Sequence, residues 1–162
     1  SIPKKQRIEF VNSLPSLREL HVILGGRDDI AEVENATVEE LEVVRVRGFA
    51  RFPDLARFPE LKSLKIEDQL RLEEIQVPPV GSKLEHLSLH NCKKLSLLHG
   101  LENLDHLKEL RVSRTALDYD RLLDDLLPGS LDVVALYTGS EKRNRALRLR
   151  LDALGFREHG SP

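Results

Sequence analysis

The chain holds no tryptophan and no methionine, and its 162 residues include one cysteine, five phenylalanines and two tyrosines. A lone thiol, Cys92, excludes a disulfide-stapled scaffold, which needs paired cysteines. No apolar run approaches the roughly 18 residues that a membrane-crossing helix requires. Charge of one sign is also missing: 25 Lys and Arg stand against 27 Asp and Glu, a formal net charge of −2. That balance excludes charge-driven disorder and predicts no general affinity for nucleic acid or an anionic membrane surface. Ser1-Ile2-Pro3-Lys4-Lys5 leads into no apolar segment, so no signal peptide is read and a cytoplasmic location is expected. The missing initiator methionine reads as a processed or excised chain; if it is a piece of a longer parent chain, the targeting and catalytic parts are expected in other domains of that parent.

Leucine is what the chain has in excess: 31 residues, 19 per cent, against roughly a tenth in an ordinary soluble protein. Such an excess calls for a search for periodicity. The unit L-x-x-L-x-L, with Val or Ile allowed, fits six times, starting at Leu17, Leu41, Leu61, Leu84, Leu107 and Leu131. The starts are 24, 20, 23, 23 and 24 residues apart, and every frame position is Leu, Val or Ile. Positions 4 and 6 of the unit alternate along a short strand and point to one side, while position 1 packs below them. One such turn cannot bury its apolar face alone, whereas stacked turns share a continuous core and align their strands into a parallel sheet.

The segments between frames differ in character. Residues 47–60 carry Phe49, Phe52, Phe58, Pro53 and Pro59, which suits an extended or broken-turn path. Leu95, Leu98, Leu101, Leu104 and Leu107 recur every three residues, a period that favours 3₁₀-like turns over an α-helix. Asp118 to Leu127 reads as a helix with acids in its first turn, stopped by Pro128-Gly129. Ile8, Phe10, Val11 and Leu14 read as an incomplete turn covering the first repeat. Ser140 to Leu154 reads as a capping helix, with Ser140 as N-cap, Leu147, Leu151 and Leu154 facing the last repeat, and Gly155 just past the end. The expected organisation is one domain: a cap over 1–16, six repeats over 17–139, and a capping helix and tail over 140–162.

This frame resembles that of leucine-rich repeat proteins. Leu84-Glu-His-Leu-Ser-Leu-His-Asn-Cys-Lys-Lys-Leu-Ser-Leu-Leu-His-Gly-Leu101 resembles the L-x-x-L-x-L-x-x-C-x-x-L-x-x-L repeat of plant intracellular immune receptors. Phe58-Pro-Glu-Leu-Lys-Ser-Leu-Lys-Ile-Glu-Asp68 with Leu72-Glu-Glu-Ile75, and Leu14-Pro-Ser-Leu-Arg-Glu-Leu-His-Val22, have the same cast. The resemblance implies an α/β solenoid, a horseshoe with a parallel β-sheet on its concave face and about six capped repeats. It also implies a domain that binds pathogen effectors or restrains a nucleotide-binding switch. Irregular bacterial repeat proteins, including secreted effectors and small immunity proteins, share the pattern. One departure is plain: the ninth repeat position, often Asn or Cys in the family, holds Gly25, Phe49, Gln69, Cys92, Thr115 and Gly139, of which only Cys92 matches, so an Asn ladder that hydrogen-bonds the turn backbones is expected to be missing.

The concave strand face is the default binding surface of stacked repeats, because its outward positions line up in columns. The column after the first Leu reads Arg18, Glu42, Lys62, Glu85, Lys108 and Asp132, alternating in sign, which suits a solvated salt-bridge ladder. The column between positions 4 and 6 reads His21, Arg45, Lys65, Ser88, Arg111 and Ala135. It is either a basic strip for an acidic patch on a partner or a solvated face neutralised by Glu67 and Glu109. The column after position 6 reads Ile23, Arg47, Glu67, His90, Ser113 and Tyr137; Arg and Tyr are enriched at interface hot spots. Ile23, Val43 and Val133 are expected outward as well.

Other clusters fit structural roles better than chemistry. His86, His90 and Cys92 lack a third ligand on one side for a metal, and Cys92 is expected to turn inward. Asp118, Asp120, Asp124 and Asp125 lack the Gly and terminal Glu of a calcium loop. Gly25-Gly26-Arg27-Asp28-Asp29 is not a phosphate cradle. Ser88 and Ser113 lie in no nucleophile motif. Asn35-Ala36-Thr37 is a glycosylation acceptor only in a secreted chain. Lys142, Arg143, Arg145, Arg148 and Arg150, diluted by Glu141, Asp152 and Glu158, suit the solvated face of a capping helix more than a nucleic-acid contact. The expectation is therefore a non-enzymatic recognition domain without cofactor or metal. It binds a protein partner, and neither nucleic acid nor membrane, through Arg45, Arg47, Lys65, His90, Arg111 and Tyr137. The alternatives are a stand-alone bacterial repeat effector, adaptor or immunity protein, or a regulatory domain that restrains a neighbouring enzymatic domain.

Overall fold

In the computed structural model, which describes residues 3, 5–77 and 81–156, the six frame segments form strands β1 (Glu19–Gly25), β2 (Glu40–Val46), β3 (Ser63–Glu67), β5 (His86–His90), β7 (Glu109–Ser113) and β8 (Val133–Tyr137). They make one six-stranded sheet in the order β1-β2-β3-β5-β7-β8, and every neighbouring pair is parallel. Two further strands, β4 (Glu74–Gln76) and β6 (Leu97–His99), pair in parallel as a second, two-stranded sheet within the return segments. The fold is thus of α/β type, a parallel sheet with few helices.

Register explains the burial pattern. Leu20, Leu41, Leu64, Leu87, Leu110 and Val134 are laterally paired, and so are Val22, Val43, Ile66, Leu89, Val112 and Leu136. Apart from half-buried Leu20, all of these are buried, and they join the apolar residues of the return segments in one core cluster. Phe49 and Phe52 pack edge to face, their ring centroids 6.1 Å apart, at the start of the second return segment. A 3₁₀ turn at Leu55–Arg57 and another at Leu101–Asn103 bear out the expected broken paths, although β6 precedes the second.

The register also corrects the repeat frame at the second turn. Leu41 pairs with Leu20 and Leu64, so it occupies position 4 and not position 1. The true unit there is Val38-x-x-Leu41-x-Val43, three residues earlier than Leu41-x-x-Val44-x-Val46. Both triplets are apolar at the right spacing, so periodicity alone does not separate them. Burial does: Val38 and Val43 are fully enclosed, while Val44 is only half-buried. Val43 therefore points inward, contrary to expectation, and Val44 takes the outward place.

With the frame set this way, the eighth position reads Leu24, Arg45, Asp68, Asn91 and Arg114. These are the non-glycine residues with positive φ, at 56°, 48°, 57°, 52° and 53°. The first five of the six strands, β1, β2, β3, β5 and β7, hold such a left-handed residue next to their end or just past it, after which the ninth side chain turns inward. Val46, Gln69 and Cys92 are buried there. No Asn stands at this position, but two of these side chains make equivalent inter-turn contacts. Gln69 Nε2 donates to Val43 O at 3.0 Å and to Glu67 O at 2.8 Å. The Cys92 thiol faces Ile66 O and His90 O, at 3.8 and 3.4 Å. In both cases one acceptor lies on the preceding turn and one on the same turn, so an amide and a thiol serve equivalent carbonyls.

The ends are closed unequally. Ile8 and Val11 are buried as expected, but Phe10 and Leu14 are exposed. The first turn is held mainly by polar groups: Asn35 Nδ2 donates to Val11 O at 2.7 Å, Asn12 Nδ2 to Glu32 O at 2.8 Å, and buried Arg27 to Gln6 O and Glu32. The helix expected after Asp118 forms as α1 (Tyr119–Arg121), running into a π-turn at Leu122–Leu126, with Asp118 accepting from the backbone N–H groups of Asp120 and Arg121. Helix α2 (Glu141–Ala153) is capped by Ser140, whose Oγ accepts from Arg143 N, and buries Leu147 and Leu151. Leu154 does not face the last turn as expected, because it falls at the helix end and is exposed, and Gly155 follows with φ +84°. Residues 1, 2, 4 and 157–162 of the expected caps lie outside the described residues.

Two substitutions test this backbone reading in opposite directions. Gly100 has φ +76°, and a Cβ there would meet Val77 O at 2.6 Å. Gly100→Ala is expected to lower stability by about 1–3 kcal/mol. Arg114 is exposed and pays for a left-handed conformation that glycine adopts freely. Arg114→Gly is expected to raise stability by roughly 0.5–1 kcal/mol, read as opposite shifts of the urea midpoint at constant m.

Candidate functional site

The outward positions of the strands form the surface on which the candidate residues lie. Corrected for register, the column between positions 4 and 6 reads His21, Glu42, Lys65, Ser88, Arg111 and Ala135. The column beyond position 6 reads Ile23, Val44, Glu67, His90, Ser113 and Tyr137. Glu42 was missed as a member of the first column because the frame at the second turn was misplaced. It lies at the centre of an ion-pair chain, 2.7 Å from His21 Nδ1 through one oxygen and 2.7 Å from Lys65 Nζ through the other. Lys65 also reaches Glu67 at 3.2 Å. On the next strands, Glu109 accepts from Arg111 Nε and lies 3.2 Å from His86 Nδ1.

The idea of an acid-free basic strip is therefore corrected: its cations are matched by carboxylates. The hydrogen bond to Glu42 raises the His21 pKa above its ordinary 6.5, burial working weakly the other way. Hydrogen bonds from Lys65 and then His21 hold the Glu42 carboxyl below its usual range. Burial works to raise Glu109, but its contacts with Arg111 and His86 prevail and lower it. The alternating ladder survives the correction, with Glu39 replacing Glu42: Arg18 and Lys62 both bind Glu39, and Lys108 Nζ lies 2.6 Å from Glu85. Solvent screens exposed pairs of this kind, so they set lateral order more than stability.

Four of the six predicted contact residues come together. Lys65, His90, Arg111 and Tyr137 line one shallow depression of about 320 Å³, together with Glu67, Ser88, Ser113 and Ala135. Arg45 and Arg47 do not join them. Arg45 sits at the left-handed eighth position, where its Nη2 lies 2.6 Å from Asp68 Oδ2. Arg47 lies just past the end of β2, and both line a separate hollow with Leu24, Gly25 and Gly26. Asp68 is held below the usual carboxylate range by Asn91 first and Arg45 second.

The remaining candidate clusters resolve into packing. Burial pushes the Cys92 thiol up to about 11, which makes it a core residue and not a nucleophile. Among the described residues, no group of three or more His, Cys, Asp or Glu is placed to hold a metal ion. The acids after Asp118 and the basic run of α2 face each other: Arg150 binds Asp120 at 2.6 Å and Asp124 at 2.5 Å, and Arg143 reaches Asp120 at 3.3 Å. They dock the terminal helix. The side chain of Asp125 and residue Glu158 lie outside the described set. Asn35 is buried with its amide engaged, so it is closed to glycosylation in the folded chain. Exposed Ile23 and half-buried Val44 and Val133 add apolar surface at the two ends of the face. No described helix is long and apolar enough to cross a membrane.

The His21–Glu42 contact gives the site a pH signature. The raised imidazole pKa means that its stabilisation is fully present below 6.5 and is lost as pH rises through the folded-state value. The lowered Glu42 pKa means that its share is present above 4.5 and is lost on acidification. The stability deficit of His21→Gln against wild type should be largest between those values and shrink above neutrality. A change under about 1 kcal/mol is expected, because the pair is solvent-exposed, and urea titrations across pH read it directly.

No family model matches the chain, and no solved structure matches it. Two curated proteins do: the transcription cofactor HES-6 of human and that of mouse, each 31% identical over 126 residues. The match covers 78% of this chain but 53% of each HES-6 protein, so the chain spans about half the length of the curated relatives it matches.

Proposed function

We propose that the chain is a leucine-rich repeat recognition module, a short solenoid whose concave strand face binds a protein partner without catalysing a reaction. The observation that carries this reading is the convergence of Lys65, His90, Arg111 and Tyr137 on one depression of an outward strand face. The mechanism is rigid presentation. Lateral pairing fixes the backbone of each strand, and the ion pairs hold several of the long side chains, so docking orders little that is not already ordered. Tyr and Arg supply the large, partly desolvated contacts that dominate interfaces. Surface of this kind also suits the roles implied by the resemblance to plant immune receptors, namely effector sensing or restraint of a neighbouring domain.

The similarity to HES-6 supports a second setting for the same surface, the work of a transcription cofactor carried out through protein contacts. Tethering the chain to a heterologous DNA-binding domain at a reporter separates the settings: a change in transcription that depends on the strand face favours it, and an unchanged reporter counts against it.

The recognition reading itself is tested by Lys65→Ala, Arg111→Ala and Tyr137→Ala combined. The variant should keep the wild-type circular dichroism and urea midpoint to within about 1 kcal/mol, since these side chains are outward. Quantitative affinity capture from the source cell should then show at least one protein retained by the wild type and lost by the variant. Identical retention profiles from a folded variant contradict the reading.

A further inference from the structure

The strand face changes character along the sheet. Over β1 to β3 its charges are paired side to side, but over β5, β7 and β8 the two columns mix the small Ser88, Ser113 and Ala135 with the larger His90, Arg111 and Tyr137, and all six line the depression. Ser113 is only 8% exposed and lines the depression, and its hydroxyl has no hydrogen-bond partner among the described residues. The Ser88 hydroxyl and the His90 ring also have no such partner there. Arg111 gives Nε to Glu109, which leaves its two terminal nitrogens without a partner among the described residues. Glu67, the one carboxylate that lines the depression, is already engaged by Lys65, and the neighbouring Glu42 and Glu109 are engaged by Lys65 and by Arg111 and His86.

Unspent hydrogen-bonding capacity at this spot is therefore concentrated on N–H and O–H groups around one under-used guanidinium. A planar oxygen pair matches the fork of an arginine, and neighbouring hydroxyls donate readily to a carboxylate. The charge balance selects further. Glu67 lines the depression and Glu109 is bonded to Arg111 itself, so a phosphate dianion meets more repulsion there than a single carboxylate does. We propose that the depression is a subsite for one carboxylate, the side chain of an Asp or Glu projecting from the bound protein partner, with Arg111 as its principal ligand and Ser88 and Ser113 as donors. This rests on the strand-face reading above and narrows it to a chemistry.

The test uses the whole chain, 15N-labelled, titrated with acetyl-Gly-Gly-Glu-Gly-Gly-amide. The comparison probes are the Gln isostere, acetyl-triglycine with a free carboxyl terminus, and inorganic phosphate. The Glu peptide should shift the amides of Ser88, His90, Arg111 and Ser113 saturably, leave those of β1 and β2 in place, and bind roughly tenfold more tightly than the Gln peptide. Arg111→Gln should remove that preference, while unchanged resonances in the rest of the sheet report an intact fold. Ser113→Ala should weaken the Glu peptide severalfold with the core undisturbed. Equal binding of Glu and Gln peptides, a Glu preference that survives Arg111→Gln, or tighter binding of phosphate or of the free terminus overturns the assignment. Such a failure is distinct from failure of the recognition reading, which follows only if the Lys65, Arg111 and Tyr137 variant keeps every captured partner.

Discussion

A single turn of about 23 residues has no inside. Its strand offers two or three apolar side chains on one face, and its return segment offers a few more, far less than the ordering entropy of the backbone demands. Everything else in this chain follows from the remedy, which is lateral stacking in strict register. Leu64 lies between Leu41 and Leu87, and Ile66 between Val43 and Leu89, so each turn completes the core of its neighbours. A left-handed residue at the exit of β1, β2, β3, β5 and β7 turns the chain out of the sheet, and the Gln69 and Cys92 side chains bind one turn's carbonyls to the next. Polar clamps lie beside the two edge strands of the described sheet: Arg27 and Asn35 near β1, Asp120 with Arg150 near β8.

The same register that buries one face orders the other. Strands about 4.8 Å apart bring equivalent outward positions into contact, so the sequence of a column becomes a chain of neighbours. That is why Arg18, Glu39 and Lys62 form a ladder, and why His21, Glu42 and Lys65 share one carboxylate. It is also why Ser88, Ser113 and Ala135, on successive strands, line one depression. The binding surface proposed for this chain is a by-product of how its core is built, and its specificity lies in positions that the core leaves free to vary.

The inward positions were legible because they obey a rule with few exceptions: Leu, Val or Ile at fixed spacing. Leu87, Leu89 and their equivalents are buried as the spacing requires. The second turn was misread because Leu41 begins one acceptable triplet and continues another, and only the lateral partner of Leu41 decides between them. That slip of three residues carried Arg45 and Arg47 onto a face they do not occupy and hid Glu42. The contact residues on β3, β5, β7 and β8 escaped it because their frames were unambiguous. The β4–β6 sheet could not be seen in advance, since three residues per strand leave no periodicity to detect. Nor could the burial of Arg27, which depends on carbonyl and carboxylate groups brought to it from elsewhere in the chain.

If lateral stacking is what gives the sheet its rigidity, the backbone amides that carry it must open together. Native-state hydrogen exchange under increasing urea tests this directly. The amides of β2, β3, β5 and β7 should exchange only through global unfolding, with one common free energy equal to that from the urea transition, while the edge strand β1 and helix α2 open earlier. Exchange of the central strands at separate, much lower free energies would mean that each turn stands by itself, and would contradict the account.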